Sequence, residues 1–201
     1  MLLATTCPLC GAPGRAPCSV CAAALEPAAP APPPPGVDRC LALLAYEGPG
    51  AELVAGIKYR NHRSAVPGLA RAMASQAAAV GGSRAVAVTW IPTPPSRRRR
   101  RGFDHGQVLA THVARSLGLP IARFLVRVEG PAQTGRGRAE RLGGPLLAAR
   151  GRPRELVLAV DDVVTTGATA SAAARALRAA GAQEVWLLAA ARRGAQGHYG
   201  A

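Results

Sequence analysis

From residue 39 onward, short apolar runs alternate with segments whose apolar residues recur at helical spacing. Four apolar runs predict strands, at 41–45, 85–91, 156–160 and 185–191. Four intervening segments predict helices, at 51–59, 66–80, 104–117 and 166–180. This alternation is typical of βαβ units, so the pattern predicts an α/β fold with a mainly parallel sheet flanked by helices.

The segment 26–36, which precedes this pattern, holds six prolines. Proline lacks the backbone N–H that helices and sheet interiors need, so we expect a semi-rigid linker of polyproline type. The chain then divides into a small unit at 1–25, the linker at 26–36 and a main domain at 37–201.

Four of the five cysteines lie in the small unit, as two CxxC pairs: Cys7, Cys10, Cys18 and Cys21. Two such pairs can turn four thiolates towards one point, which predicts a closed, structural Zn²⁺ site. Two disulfides or four unpaired thiols are the alternatives, and disulfides would need an oxidising compartment. The fifth cysteine, Cys40, adjoins an apolar run and is interpreted as a buried core thiol.

Composition adds a strong positive charge to this picture. The 201 residues carry 25 Lys and Arg against 11 Asp and Glu, and only 3% of the residues are aromatic. Between Arg97 and Arg154 there are 14 arginines and three acids. This stretch indicates a polyanionic partner and argues against an acidic, self-contained enzyme.

No apolar run approaches the ~20 residues that a membrane-spanning helix needs. The first residues also lack the charged region of a secretory signal. We therefore expect a cytoplasmic protein without membrane insertion, and the sequence leaves homo-oligomerisation open.

The strand at 156–160 is followed by two carboxylates and then, around the predicted start of the next helix, by three threonines and a glycine. Adjacent carboxylates can accept hydrogen bonds from a diol or hold hydrated Mg²⁺, while a small-residue loop opening a helix suits a phosphate. The plainer alternative is an acid pair favoured by the helix dipole. The pattern is not that of a P-loop NTPase. A ligand with a sugar diol beside a phosphate fits it best.

These residues resemble the phosphoribosyl pyrophosphate (PRPP) motif of type I phosphoribosyltransferases. The whole chain resembles the ComF family, in which a four-cysteine knuckle precedes such a domain and which is associated with DNA uptake in natural transformation. Further matches are Lys58-Tyr59, Ile91-Pro92, Arg101-Gly102-Phe103, Gln133, Arg141 and Ala190-Ala191-Arg192. The family commonly continues Arg-Gly-Phe with Asn-Gln, whereas this chain has Asp104 and His105, and Gly144 stands where the family commonly has Asn.

The resemblance implies a type I phosphoribosyltransferase-like fold that binds PRPP with Mg²⁺. It implies that nine consecutive residues hold the ribose and its 5-phosphate: Asp161, Asp162, Val163, Val164, Thr165, Thr166, Gly167, Ala168 and Thr169. Asp161 and Asp162 would contact the ribose hydroxyls directly or through Mg²⁺. Five residues would lie in the pyrophosphate turn or in a mobile loop that closes over the site: Pro92, Thr93, Arg101, Gln133 and Arg141.

Two functions are therefore expected from this sequence. The first is transfer of the phosphoribosyl group from PRPP to an unidentified acceptor, with displacement of pyrophosphate. The second is handling of single-stranded DNA, with the PRPP fold as scaffold or sensor. Because aromatic rings for base stacking are scarce, DNA binding would depend on phosphate contacts and weaken with salt. The arginine run at 97–101 would contact pyrophosphate or nucleic acid, or form a solvated loop.

Overall fold

The computed structural model describes residues 5–60, 62–128 and 145–194. Its strands are β1 (Arg39–Ala45), β2 (Ala87–Trp90), β3 (Leu125–Arg127), β4 (Leu147–Ala149), β5 (Leu156–Val164) and β6 (Glu184–Arg192). Four of them form a parallel sheet in the order β1-β6-β5-β2. The remaining two, β3 and β4, pair antiparallel with each other. The predicted α/β class with a parallel sheet is confirmed.

Four helices lie on the two faces of this sheet: α2 (Gly48–Tyr59), α3 (Val66–Ala78), α5 (His105–Leu117) and α6 (Ala168–Ala179). The chain also forms two shorter helices, α1 (Ser19–Ala23) and α4 (Pro95–Arg101). Side chains of α2, α3 and α5 form one apolar cluster with the sheet. Side chains of α6 and β3 form a second cluster on the opposite face. Among the described residues, no helix is both long and apolar enough to cross a bilayer.

The core is built mainly from small aliphatic side chains, because the chain has few aromatic residues. Helix α6 buries Ala170, Ala173, Ala174 and Leu177, whose small side chains let the helix lie close to the strands. On the other face, Trp186 fills the space that alanines leave and is 2% exposed. Each fully buried large apolar side chain contributes about 1.5–3 kcal/mol to folding. The two clusters therefore hold the strands, and with them the loops at their carboxyl ends, in place.

Strand β5 is longer than the sequence predicts. Its pairing with β6 continues past Val160, with Asp161 opposite Ala189 and Val164 opposite Arg192. The expectation that the two carboxylates follow the strand is therefore wrong, because Val163 and Val164 extend the strand beyond them. Asp161 and Asp162 consequently have the rigidity of a paired strand.

The proline-rich segment lies against the main sheet. The backbone N–H of Ala45 donates to the carbonyl of Glu26, and the N–H of Ala28 donates to the carbonyl of Leu43. Near the other end of the segment, Pro34 packs so close to Gly167 that a Cβ added at Gly167 would lie 2.8 Å from its Cγ. The segment therefore runs from the edge of β1 to the loop before α6. The division at 1–25, 26–36 and 37–201 stays a prediction.

Cys40 differs from the expectation of a buried core thiol. It lies on β1 and is half-buried, and the guanidinium Nη2 of Arg192 is 2.7 Å from its Sγ. Burial raises the pKa of the Cys40 thiol, although the charge of Arg192 opposes that shift. The sequence could not indicate this contact, since β1 and β6 are brought together only by the sheet order.

Candidate functional site

A polar pocket of ≈ 350 Å³ opens at the carboxyl ends of β2 and β5. In parallel α/β sheets this edge is where ligands bind, because the strand ends and helix N-termini leave polar groups there. The pocket is lined by Tyr46, Lys58, Tyr59, Ile91, Pro92, Thr93, Pro94, Arg97, Arg127, Asp161, Asp162, Val163, Thr165, Thr169 and Arg193.

The two carboxylates of the pocket have different surroundings. Asp162 forms an ion pair with Lys58 of α2, with 2.9 Å between Nζ and Oδ1. Asp161 accepts a hydrogen bond from the backbone N–H of Asp162 at 2.8 Å. Burial, and then the negative charge of Asp162, raise the pKa of Asp161 to about 8. Asp161 therefore readily holds a proton. The pair can accept hydrogen bonds from a diol and, once Asp161 is ionised, can also hold a cation.

The loop from Thr165 to Gly167 connects β5 to α6 and forms the second part of the site. Gly167 has a φ of 76°, a left-handed conformation that favours glycine, and it caps the helix N-terminus. A smaller cavity of ≈ 30 Å³ lies against this loop. Backbone N–H groups in the first turn of the twelve-residue helix α6 and the hydroxyls of Thr165 and Thr169 can donate to an anion there.

The turn after β2 forms the third part of the site, and two side chains hold it through three hydrogen bonds. The Arg127 Nε–H donates to the carbonyl of Pro92 at 2.6 Å. Asp104, which is 7% exposed, accepts from both the backbone N–H and the hydroxyl of Thr93. Because Asp104 also caps α5, the turn is tied to the start of that helix. Its geometry is thus set by two distant segments of the chain.

The structure brings many of the predicted site residues to this pocket or to the small cavity beside it. Pro92, Thr93, Asp161 and Asp162 line the main pocket. The predicted loop residues line the small cavity together with Asp161: Val163, Val164, Thr165, Thr166, Gly167, Ala168 and Thr169. Arg101 ends α4, whose backbone alone is described at that position. Gln133 and Arg141 lie outside the described residues.

The sequence reasoning missed several lining residues, of which three carry polar or aromatic side chains. Arg127 lies on β3, which is too short to give a periodic signal, and Tyr46 and Arg193 directly follow β1 and β6. The guanidinium of Arg193 lies 5.8 Å from the centre of the Tyr46 ring. The rule that ligands bind beyond strand ends could have found both of these residues.

The arginine run forms helix α4 instead of a loop. Its Arg97 lines the pocket, and Arg99 is exposed. With Lys58, Arg127 and Arg193, Arg97 gives the pocket four cationic side chains beside its two carboxylates. The pocket can therefore bind an anion of several charges.

The four N-terminal cysteines form a separate cluster. Their sulfur atoms all lie within 4.8 Å of one another, and those of Cys10 and Cys18 are 3.7 Å apart. A tetrahedral ion with Zn–S bonds of ~2.3 Å would place its sulfurs about 3.8 Å apart. The N–H of Cys18 lowers the pKa of Cys7 to about 6, whereas hydrogen bonding to the Cys10 sulfur raises the pKa of Cys21 to about 12. The cluster can hold a metal ion, whose charge would stabilise all four thiolates.

The model of the phosphoribosyl transferase domain family matches residues 104–198, which is slightly less than half of the chain. No curated protein sequence matches the chain. The structure of the allosteric regulatory enzyme of purine biosynthesis is 26% identical to it over 64% of this chain and 26% of that chain, with a TM-score of 0.44.

Two further solved structures are similar to the chain. The glutamine PRPP amidotransferase of B. subtilis, complexed with ADP and GMP, is 28% identical over 63% of this chain and 26% of that chain, with a TM-score of 0.43. The orotate phosphoribosyltransferase of Aeropyrum pernix is 24% identical over 69% of this chain and 63% of that chain, with a TM-score of 0.41. The chain thus spans about a quarter of the length of the first two structures. Over residues 104–198, which include both carboxylates and the threonine loop, the chain is phosphoribosyltransferase-like.

Proposed function

We propose that the protein binds PRPP together with Mg²⁺ and transfers its phosphoribosyl group to an acceptor. One observation carries this proposal. A carboxylate pair, a threonine loop at a helix N-terminus and four cationic side chains surround one pocket at the carboxyl ends of the strands. PRPP has the matching groups, since it combines a sugar diol, a 5-phosphate and a pyrophosphate. The family match over residues 104–198 supports the same assignment.

Each part of the site has a role in this proposal. Asp161 and Asp162 hold the ribose hydroxyls and the Mg²⁺ that accompanies them, and Thr165 to Thr169 donate to the 5-phosphate. When bound, Mg²⁺ supplies positive charge to the pyrophosphate group. Arg97 and Arg127, which line the pocket near the turn after β2, neutralise the remaining charge.

The reaction is a substitution at C1 of the ribose. A lone pair of the acceptor forms the new bond to C1, and the C1–O bond to pyrophosphate breaks with its electron pair leaving on the pyrophosphate oxygen. The residues of the pocket position the acceptor and the ribose and stabilise the charge of the leaving pyrophosphate, which are the main contributions that a protein makes to such a transfer.

We also propose that the chain is of the ComF type, a cytoplasmic protein with structural zinc at Cys7, Cys10, Cys18 and Cys21. The spacing of the four sulfurs supports zinc. The polyproline linker and the three-part division of the chain belong to this proposal. In the structure, Leu9, Ala16 and Leu25 of the small unit pack against the main core.

Calorimetry with PRPP and MgCl₂ tests the binding. We expect the double variant Asp161→Asn and Asp162→Asn to lose affinity, because the amides cannot hold Mg²⁺ and accept the diol as carboxylates do. The matched control is Asp38→Asn, which changes a carboxylate that bonds Arg178 and the Val185 N–H. Absence of PRPP binding by the wild type, or equal binding by the double variant, contradicts the proposal. Pyrophosphate release with a panel of bases and amines then identifies the acceptor.

A second candidate function, binding of single-stranded DNA, is favoured by the basic helix α4 at the rim of the pocket. When a protein binds DNA through its phosphates, the logarithm of the binding constant falls linearly with the logarithm of the salt concentration. We expect DNA affinity at low salt to fall steeply as salt rises, and PRPP to compete. Salt-insensitive binding, or no binding at low salt, contradicts this candidate.

A further inference from the structure

A third carboxylate lies behind the turn that we assign to pyrophosphate. We propose that Asp104 is a positioning residue that makes pyrophosphate binding dependent on Mg²⁺. The inference rests on the proposed function, because it concerns how the same pocket takes its leaving group.

Asp104 bonds the turn through both of its oxygens. Its Oδ2 accepts from the backbone N–H of Thr93 at 3.1 Å, and its Oδ1 accepts from the Thr93 hydroxyl at 3.0 Å. The same Oδ1 accepts from the N–H groups of Gly106 and Gln107 at 3.1 Å and 3.4 Å. Asp104 is 7% exposed, so these four donors are its surroundings in place of water.

This arrangement determines where the hydroxyl proton of Thr93 points. An ionised carboxylate has no proton to give, so the Thr93 hydroxyl is the donor and its proton faces Asp104. Thr93 is half-buried and lines the pocket, to which its hydroxyl can then offer only lone pairs. Lone pairs attract a cation or a metal-bound water and repel the oxygens of a bare phosphate.

The charge of Asp104 acts in the same direction. A buried carboxylate behind the turn repels a free pyrophosphate, and screening is weak away from water. Arg127, which holds the turn through Pro92, is attracted by Asp104, so its charge is shared between that carboxylate and pyrophosphate once pyrophosphate enters. Pyrophosphate complexed with Mg²⁺ carries less negative charge and brings water protons to the Thr93 lone pairs.

Two variants separate these effects from simple structural support. Asp104→Asn removes the charge and keeps one oxygen that can cap the helix as aspartate does, while its amide nitrogen replaces the Oδ2 that accepts from the Thr93 N–H. Thr93→Val removes the hydroxyl, keeps the backbone N–H and has nearly the same shape. Asp38→Asn is the matched control away from the pocket.

Calorimetry with inorganic pyrophosphate, in EDTA and in MgCl₂, measures the affinity gained from Mg²⁺ for each protein. We expect that gain to fall at least about tenfold in Asp104→Asn. The main reason is that binding of pyrophosphate in EDTA strengthens once the negative charge of Asp104 no longer repels it. We expect Thr93→Val to lower the gain by weakening binding in MgCl₂ alone. The control should keep the gain of the wild type.

Equal gains in wild type and Asp104→Asn, or equal weakening in both buffers, overturn the inference and leave Asp104 a structural cap. If Asp104→Asn does not fold, an unchanged gain in Thr93→Val overturns it alone. If the wild type binds PRPP while either of these results is obtained, the inference fails and the proposed function stands. A wild type that binds neither PRPP nor pyrophosphate overturns both.

Discussion

The contact between Pro34 and Gly167 predicts that an added methyl group at Gly167 destabilises the protein through the proline-rich segment. Gly167 adopts a φ of 76°, and a Cβ there would lie 2.8 Å from the Pro34 Cγ and 2.9 Å from its Cβ. The left-handed conformation alone costs an L-residue roughly 1–2 kcal/mol. The clash with Pro34 adds about 1–3 kcal/mol, the range for overpacking a well-packed site.

Gly118 offers a matched control, because it has a φ of 68° and no atom within 4 Å of an added Cβ. Gly118→Ala should therefore cost the backbone strain alone, and Gly167→Ala should exceed it by about 1–3 kcal/mol in urea unfolding. A double-mutant cycle with Pro34→Gly isolates the clash, because the effect of that substitution on the unfolded chain cancels in the cycle. We expect Pro34→Gly to recover most of the excess.

Gly167→Ala should also weaken PRPP binding, because the loop that the methyl displaces is the one assigned to the 5-phosphate. Equal destabilisation in Gly167→Ala and Gly118→Ala, or a coupling free energy of zero with Pro34→Gly, refutes the packing of the proline-rich segment on this loop.

Three further predictions concern titration and metal binding. Since the pKa of Asp161 is raised to about 8, the native protein retains a proton that the unfolded chain loses above about pH 4, so this group's contribution to stability falls as the pH rises from about 4 to about 8. Asp161→Asn should flatten the pH profile of urea unfolding in that range, and parallel profiles would contradict the assignment. Lys58→Met should extend the fall to higher pH, because the Lys58 charge lowers the pKa of Asp161; an unchanged upper limit in the same assay would rule this out. Cys18→Ser should lose bound zinc and several kcal/mol of stability, whereas Cys40→Ser should retain one zinc ion per chain. Elemental analysis of the two variants measures this, and equal zinc contents would contradict a zinc site at the four cysteines.

Much of the fold could be predicted because periodic patterns report on local structure. The runs at 85–91 and 185–191 and the helical segment at 104–117 each correspond to an observed element. The boundary of β5 could not be predicted in this way. Two aspartates disfavour a strand locally, and only pairing with β6 carries the strand through them to Val164.

The candidate site divides along the same line. The residues 161–169 are contiguous, so their chemistry is legible in the sequence and their proximity needs no tertiary contact. The position of Arg127 beside Pro92 joins residues that are distant along the chain, and so does the ion pair of Lys58 with Asp162. Neither contact has a sequence signal.

By itself, the sequence determined the α/β alternation, the paired cysteines, the acidic pair with its threonine loop and the excess of arginine. The tertiary structure alone decided that one carboxylate is paired with Lys58, that Asp104 holds the Thr93 hydroxyl and that the proline-rich segment lies on the Gly167 loop. The physical reason is that pattern and spacing act over a few residues. Hydrogen bonds, ion pairs and burial depend on which segments the sheet order brings together, and that order is set by the packing of the whole core.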